Sequence, residues 1–185
     1  MGGTVKPFQL LLDRPLVSWV VERLRPQVTE VIVSANRDLE RYAAIGDRVV
    51  TDHRSKEFSG PLAGLQAGLA VANHDLMVTV PCDAPLIPPD LVARLAFALE
   101  ASGADVAVVS TGDRSQPVFC LCKRKVLSSI DAFLASGGRK VDLWVNSVAH
   151  VQVAFDDEAE AFVNVNMPEE LQALEQKLRG ITPSA

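Results

Sequence analysis

Short β-branched runs alternate with longer segments whose apolar residues recur every three or four positions. Val28–Ser34, Asp47–Thr51, Asp75–Val80, Ala104–Ser110, Pro117–Leu121, Val148–Val153 and Ala161–Val165 read as strands. Asp75–Val80 is the most continuous of them and suits the middle of a parallel sheet. Helical spacing fills the gaps. Pro15 falls in the first turn of a helix carrying Leu16, Trp19, Val20 and Leu24. Further helices are predicted over Pro61–Ala72, Asp90–Ala101 and Lys125–Leu134, the last stopping at Ser136-Gly137-Gly138. Pro168 with Glu169 and Glu170 opens a final helix, where first-turn acids complement the helix dipole.

This alternation predicts helices on both faces of a mostly parallel sheet. The length of 185 residues suits one α/β domain, expected over 1–181, with 182–185 as a loose tail. A net charge of −5 speaks against a general grip on nucleic acid, and no apolar run is long enough to span a bilayer. The three cysteines do not make a disulfide framework, and the start lacks the layout of a signal peptide, so the cytoplasm is the expected compartment.

Ligands of such sheets bind beyond the carboxyl ends of the strands. Five segments there could carry chemistry, each with a structural alternative. Asp83 follows a buried strand and precedes a proline-stiffened turn; it could hold Mg²⁺ against phosphate oxygens, or cap the turn. Cys82 beside it reads as a packing residue. Gly60-Pro61-Leu62-Ala63-Gly64 opens a helix and allows close approach, by a ligand or by another element. Asn164 and Asn166 share one strand face; Asn166 could cap the next helix or, like Asn164, offer a neutral oxygen to a metal. Ser34, Asn36 and Asp52 could read a base edge, or start a helix and cap a turn. Gly2, Gly3 and Lys6 look like part of a phosphate cradle, or a solvated terminus. The basic turn Gly137-Gly138-Arg139-Lys140 could meet an anion or be simply solvated. Trp19 and Trp144 read as core or partner contacts, and the three histidines lack zinc-ligand spacing.

In this order, Met1-Gly2-Gly3…Lys6, Gly60-Pro61-Leu62-Ala63-Gly64, Cys82-Asp83-Ala84-Pro85 and Phe162–Leu171 (Phe-Val-Asn-Val-Asn-Met-Pro-Glu-Glu-Leu) resemble the molybdenum cofactor guanylyltransferase family, collinearly to about Leu178. The resemblance implies a Rossmann-like, three-layer nucleotidyltransferase domain. It implies transfer of GMP from GTP to molybdenum-molybdopterin, with Mg²⁺ as cofactor and pyrophosphate released. By position, Asp83 would be the metal ligand and Lys6 would contact the phosphates. Asp52 and the Gly60–Gly64 loop would lie at guanine and ribose, with Ser34 and Asn36 beside them. Asn166 and Asn164 would complete the metal and pterin side, and Arg139 and Lys140 would face the pterin. Such transfer needs no protein nucleophile, since the substrate phosphate attacks the α-phosphorus in line.

Two departures accompany the resemblance. The family usually opens with a buried strand and a Leu-Ala-Gly-Gly…Arg-Met-Gly-Gly loop, whereas this sequence begins at the equivalent of the last Met. A first strand and half of the cradle are therefore expected to be missing, with strand edges exposed beside a gap. Ser34 stands where the family often has Asn, which bears on base selectivity. The alternatives are a related CTP-dependent or sugar-phosphate nucleotidyltransferase, and a non-catalytic nucleotide-binding or interaction protein. Expected partners are the two substrates and other proteins of the cofactor pathway, for a monomer or weak homo-oligomer.

Overall fold

A computed structural model describes residues 6–52, 60–165 and 167–181, for Lys6 and Ile181 the backbone only. A hairpin of β1 (Leu10–Leu11) and β2 (Arg14–Pro15) precedes α1 (Leu16–Leu24). Then follow β3 (Ile32–Ser34), α2 (Leu39–Ala43), β4 (Arg48–Val50), α3 (Pro61–Val71), β5 (Leu76–Thr79) and α4 (Leu91–Ser102). The second half contains β6 (Val106–Thr111), β7 (Arg114–Lys123), α5 (Leu127–Ala135), α6 (Val141–Val145), β8 (His150–Ala154) and α7 (Pro168–Ile181).

The α/β class follows the sequence pattern, with a mixed sheet. β3 and β4 pair in parallel. A four-stranded sheet runs β5-β7-β6-β8, with β6 parallel to β8 but β7 antiparallel to both its neighbours. A tight turn at Gly112-Asp113 joins β6 to β7, and such a short connection can only reverse the chain. The register slips between Val108 and Val109, which face Cys120 and Gln116, so Pro117, Val118 and Phe119 lie in a bulge. Proline lacks the N–H a ladder needs, and a bulge is one of the few places in a sheet that accepts it.

Strand alternation builds the layers. Val106, Val108, Cys120 and Cys122 point to one face, where α3, α5 and α6 cover them with Leu62, Leu69, Ile130 and Trp144. Ala107, Val109, Phe119 and Leu121 point to the other, under Val20 and Leu24 of α1 and Leu91, Leu95 and Leu99 of α4. Trp144 is fully buried and donates from Nε1 to Ser129 Oγ at 3.0 Å. Trp19 is half-buried and donates to the Leu11 carbonyl at 3.0 Å, so both tryptophans serve packing within the chain.

One expected strand is absent. Asp156–Phe162 forms 3₁₀ turns and 163–165 is irregular. Its Val165 N–H donates to the Asp83 carbonyl at 2.8 Å, a cross-link in place of a ladder. The last helix starts as expected at Pro168, and Glu170 accepts from the Met167 N–H at 2.9 Å, half of a capping box.

β3 and β5 run side by side in one direction. Thr29 and His74, before the two strands, are bonded at 3.0 Å, and Cys82, after β5, packs with Val33 and Ala35 against the same cluster of Phe8, Val17 and Tyr42. Yet the two strands belong to separate sheets, and among the described residues their facing edges carry no ladder partner. A cavity of about 1330 Å³ lies between them, lined by Val33 and Val78 and by Val20 of α1 and Gly68 of α3. Among the described residues no helix is long and apolar enough to cross a membrane.

Four surface carboxylates are held below their usual pKa range: Asp47 by the Val31 N–H and Arg25, Asp105 by Lys125, Asp157 by Arg94 and Glu160 by Lys177. A carboxylate with a depressed folded-state pKa adds stability above its unfolded pKa, and that stability is lost as pH falls through the folded value. The urea midpoint should therefore drop between about pH 6 and about pH 3. An unchanged midpoint would show that these contacts carry no net stabilisation.

Candidate active site

At the carboxyl end of β3 the parallel ladder continues one step beyond the strand, with the Ala35 N–H donating to the Val50 carbonyl at 2.9 Å. The next donor, the Asp52 N–H, goes to Asn36 Oδ1 at 3.0 Å. The loops after β3 and β4 are thus tied together at the rim of the large cavity, which Ser34, Asn36 and Asp52 all line. Asn36 does not start a helix; α2 begins three residues later, after Asp38 in a left-handed conformation (φ 53°).

α3 brings the glycine-proline loop to the same rim. A Cβ on Gly64 would sit 3.0 Å from Ser34 Oγ, so this glycine lets the helix press against β3. Gly60 has φ +76° and open space where a Cβ would be, which leaves its backbone accessible from the cavity. Gly60, Pro61 and Gly64 line the cavity, but Leu62 does not. The Leu62 side chain is fully buried in the cluster of Val108 and Trp144, so any part it takes at the nucleotide falls to its main chain. An apolar side chain one turn into a buried helix faces the core.

Asp83 is half-buried in the turn after β5 and lines the same cavity with Asn164, whose Oδ1 is buried. The Val165–Asp83 main-chain bond holds these two side chains on neighbouring segments, and the fully buried Ala84 and Ile87 anchor the turn from below. One carboxylate and one carboxamide oxygen suit Mg²⁺ shared with substrate phosphates, because Mg²⁺ takes few protein ligands in such sites. Among the described residues there is no group of three His, Cys, Asp or Glu that could cage a metal by itself. Cys82 is a poor nucleophile: burial, then the Asp83 charge, push its thiol up to about 11.

Arg139 and Lys140 do not line the large cavity. They line a smaller one of about 370 Å³ that shares Gly60, Pro61, Pro117, Val118 and Val141 with it. Arg139 donates to the carbonyls of Leu134, at 2.9 Å, and Gly138, at 2.6 Å, closing the end of α5. Lys140 stands just before α6 and is exposed.

Gly2, Gly3 and Asn166 lie outside the described residues, as does the Lys6 side chain. The Lys6 backbone belongs to a 3₁₀ turn, Lys6–Phe8, whose Phe8 ring is buried 4.7 Å from Tyr42 and beneath the Arg41 guanidinium at 3.6 Å. Tyr42 is buried with Phe8, and desolvation of its phenol raises its pKa to about 12. Pattern reading missed Pro117 and Val118, which the bulge aims at both cavities; proline inside a strand pattern was the available signal.

The family model for MobA-like NTP transferase domains matches residues 1–151. A molybdenum cofactor guanylyltransferase of Shewanella amazonensis is 44% identical over 96% of this chain and 90% of its own length. One from Cupriavidus taiwanensis is 46% identical over 96% of this chain and 90% of its own. Molybdopterin-guanine dinucleotide biosynthesis protein A from Archaeoglobus fulgidus superposes with a TM-score of 0.80 at 20% identity, covering 97% of this chain and 93% of that one. A 2-C-methyl-D-erythritol 4-phosphate cytidylyltransferase from Thermus thermophilus shares the fold at a TM-score of 0.71 and 18% identity, covering 94% of each chain. With its site-lining segments in family order and its sequence this close to those relatives, the chain belongs to the molybdenum cofactor guanylyltransferases, within the MobA-like NTP transferase family.

Proposed function

We propose that this chain transfers GMP from GTP to the terminal phosphate of molybdenum-molybdopterin. The observation that carries the reading is the convergence of Ser34, Asp52, Gly60, Asp83 and Asn164, from five segments, on one cavity at the carboxyl ends of β3 and β5. Guanine and ribose lie against Ser34, Asp52 and the Gly60–Gly64 loop. The triphosphate runs toward Asp83, and by their place in the sequence Gly2, Gly3 and Lys6 would contact its phosphates. The pterin phosphate arrives from the smaller cavity, past Gly60 and Pro61, which border both.

An oxygen of the pterin phosphate attacks the α-phosphorus of GTP. The new P–O bond forms as the bond to the bridging oxygen breaks, and pyrophosphate leaves. The protein's part is to hold two polyanions in line and to offset the charge that develops. Asp83, with Asn164 and Asn166, would hold Mg²⁺, which when bound neutralises phosphate charge. Lys140 adds a point charge on the pterin side, while Arg139 holds the turn that presents it. We place the reaction in the cytoplasm, on a monomer or weak homo-oligomer served by other proteins of the cofactor pathway.

Purified protein with molybdenum-molybdopterin should consume GTP well ahead of CTP; equal turnover of the two would point to a related nucleotidyltransferase. Lys140→Ala should raise KM for the pterin substrate about 10-fold, the worth of one charge-assisted contact, with little change in KM for GTP. A change confined to GTP would move Lys140 to the nucleotide. The cavity between β3 and β5 favours one second reading, a nucleotide-binding or interaction protein without turnover, because a phosphate site beside two strand edges without a ladder partner among the described residues is less rigidly held.

A further inference from the structure

We propose that Asn36 is a positioning residue for nucleotide recognition, acting through Asp52. This rests on Asp52 facing the nucleotide, as proposed above. Ser34 pairs with Val50, and the Ala35 N–H donates to the Val50 carbonyl at 2.9 Å. In a regular parallel ladder the next bond would run from the Asp52 N–H to the Ala35 carbonyl. Asn36 Oδ1 takes that N–H instead, at 3.0 Å. A side-chain oxygen thus replaces a main-chain acceptor where the chain leaves the strand, a substitution Asn makes easily.

Two consequences follow for the site. The backbone after β3 is released to turn through Asp38, at φ 53°, into α2. The backbone of Asp52 stays in register with β3, so its side chain remains at the cavity rim beside Ser34 and Gly60. Asn36 is itself exposed, so its contribution is the placement of a neighbour. The bond to the Asp52 N–H fixes the Asn36 carboxamide against the neighbouring segment, with its amide group left over as a donor.

A thermodynamic cycle on the full chain tests this. Asn36→Ala should weaken GTP binding, read by calorimetry, about 3- to 10-fold, the worth of one net hydrogen bond. KM for GTP should rise by a similar factor, with kcat falling less. In an Asp52→Ala background the same change should cost less than about twofold, because the residue it positions is gone. Hydrogen exchange at the Asp52 amide should accelerate in Asn36→Ala and stay slow in Asn36→Asp, which keeps the acceptor oxygen. Additive losses in the double variant, with Asp52 exchange unchanged by Asn36→Ala, would make Asn36 a direct reader and overturn the proposal. Failure of the unmodified chain to bind GTP at all would overturn it together with the proposed function, while the exchange measurement would still report on the hydrogen bond.

Discussion

Asp83→Ala should lower GMP transfer on the order of 10²- to 10³-fold, the usual cost of removing one group that stabilises transition-state charge. The carboxylate is the only part of Asp83 the substitution removes. Its main-chain carbonyl, which accepts from Val165 at 2.8 Å, stays in place, and so do the buried Ala84 and Ile87 beneath the turn. The fold should therefore survive, with an unchanged circular dichroism spectrum. Asp83→Asn keeps shape and removes charge, and it should lose nearly as much if the carboxylate serves to hold a cation. Turnover within about threefold of the parent would contradict a single-carboxylate phosphate site and leave the non-catalytic reading standing.

Trp144→Ala should destabilise the fold by about 3–5 kcal/mol, as expected for a buried large-to-small change. For a chain of this size that is a fall in Tm of roughly 10 °C. Trp144 is fully buried, fills the space between α3, α5 and the sheet, and orphans Ser129 Oγ if lost. Trp144→Phe keeps most of the volume and should cost much less. Since α6 begins directly after Lys140, and the Trp144 N–H bonds the Lys140 carbonyl at 3.2 Å, the basic turn should loosen before the rest of the site. A urea unfolding free energy within about 1 kcal/mol of the parent would mean that α6 is not packed as described.

Much of this was legible in the sequence because local chemistry and tertiary structure agree there. Pro15, Pro61 and Pro168 mark helix starts, since proline fits only where its missing N–H is unneeded. The alternation in β6 and β7 divides the core between two faces as period-two patterns must. Ala161–Val165 misled, because its buried apolar residues include Phe162 and Val165, which meet Phe119 and Leu16 from turns rather than from a ladder, while Val163 is exposed. Within Gly60–Gly64 the structure separates the buried Leu62 and Ala63 from Gly60, Pro61 and Gly64, which line the cavity.

By itself the sequence determined the α/β class, most element starts, and which segments stand near a strand's carboxyl end, because periodicity and proline act locally. Only the tertiary structure decided that β7 runs antiparallel and that its bulge turns Pro117 and Val118 to the site. It alone showed that Arg139 bonds the end of α5 while lining the smaller cavity, that Asn36 grips Asp52, and that among the described residues β3 and β5 stand apart across a cavity. Such facts depend on partners distant along the chain, and no local pattern encodes which of two polar groups a side chain will meet.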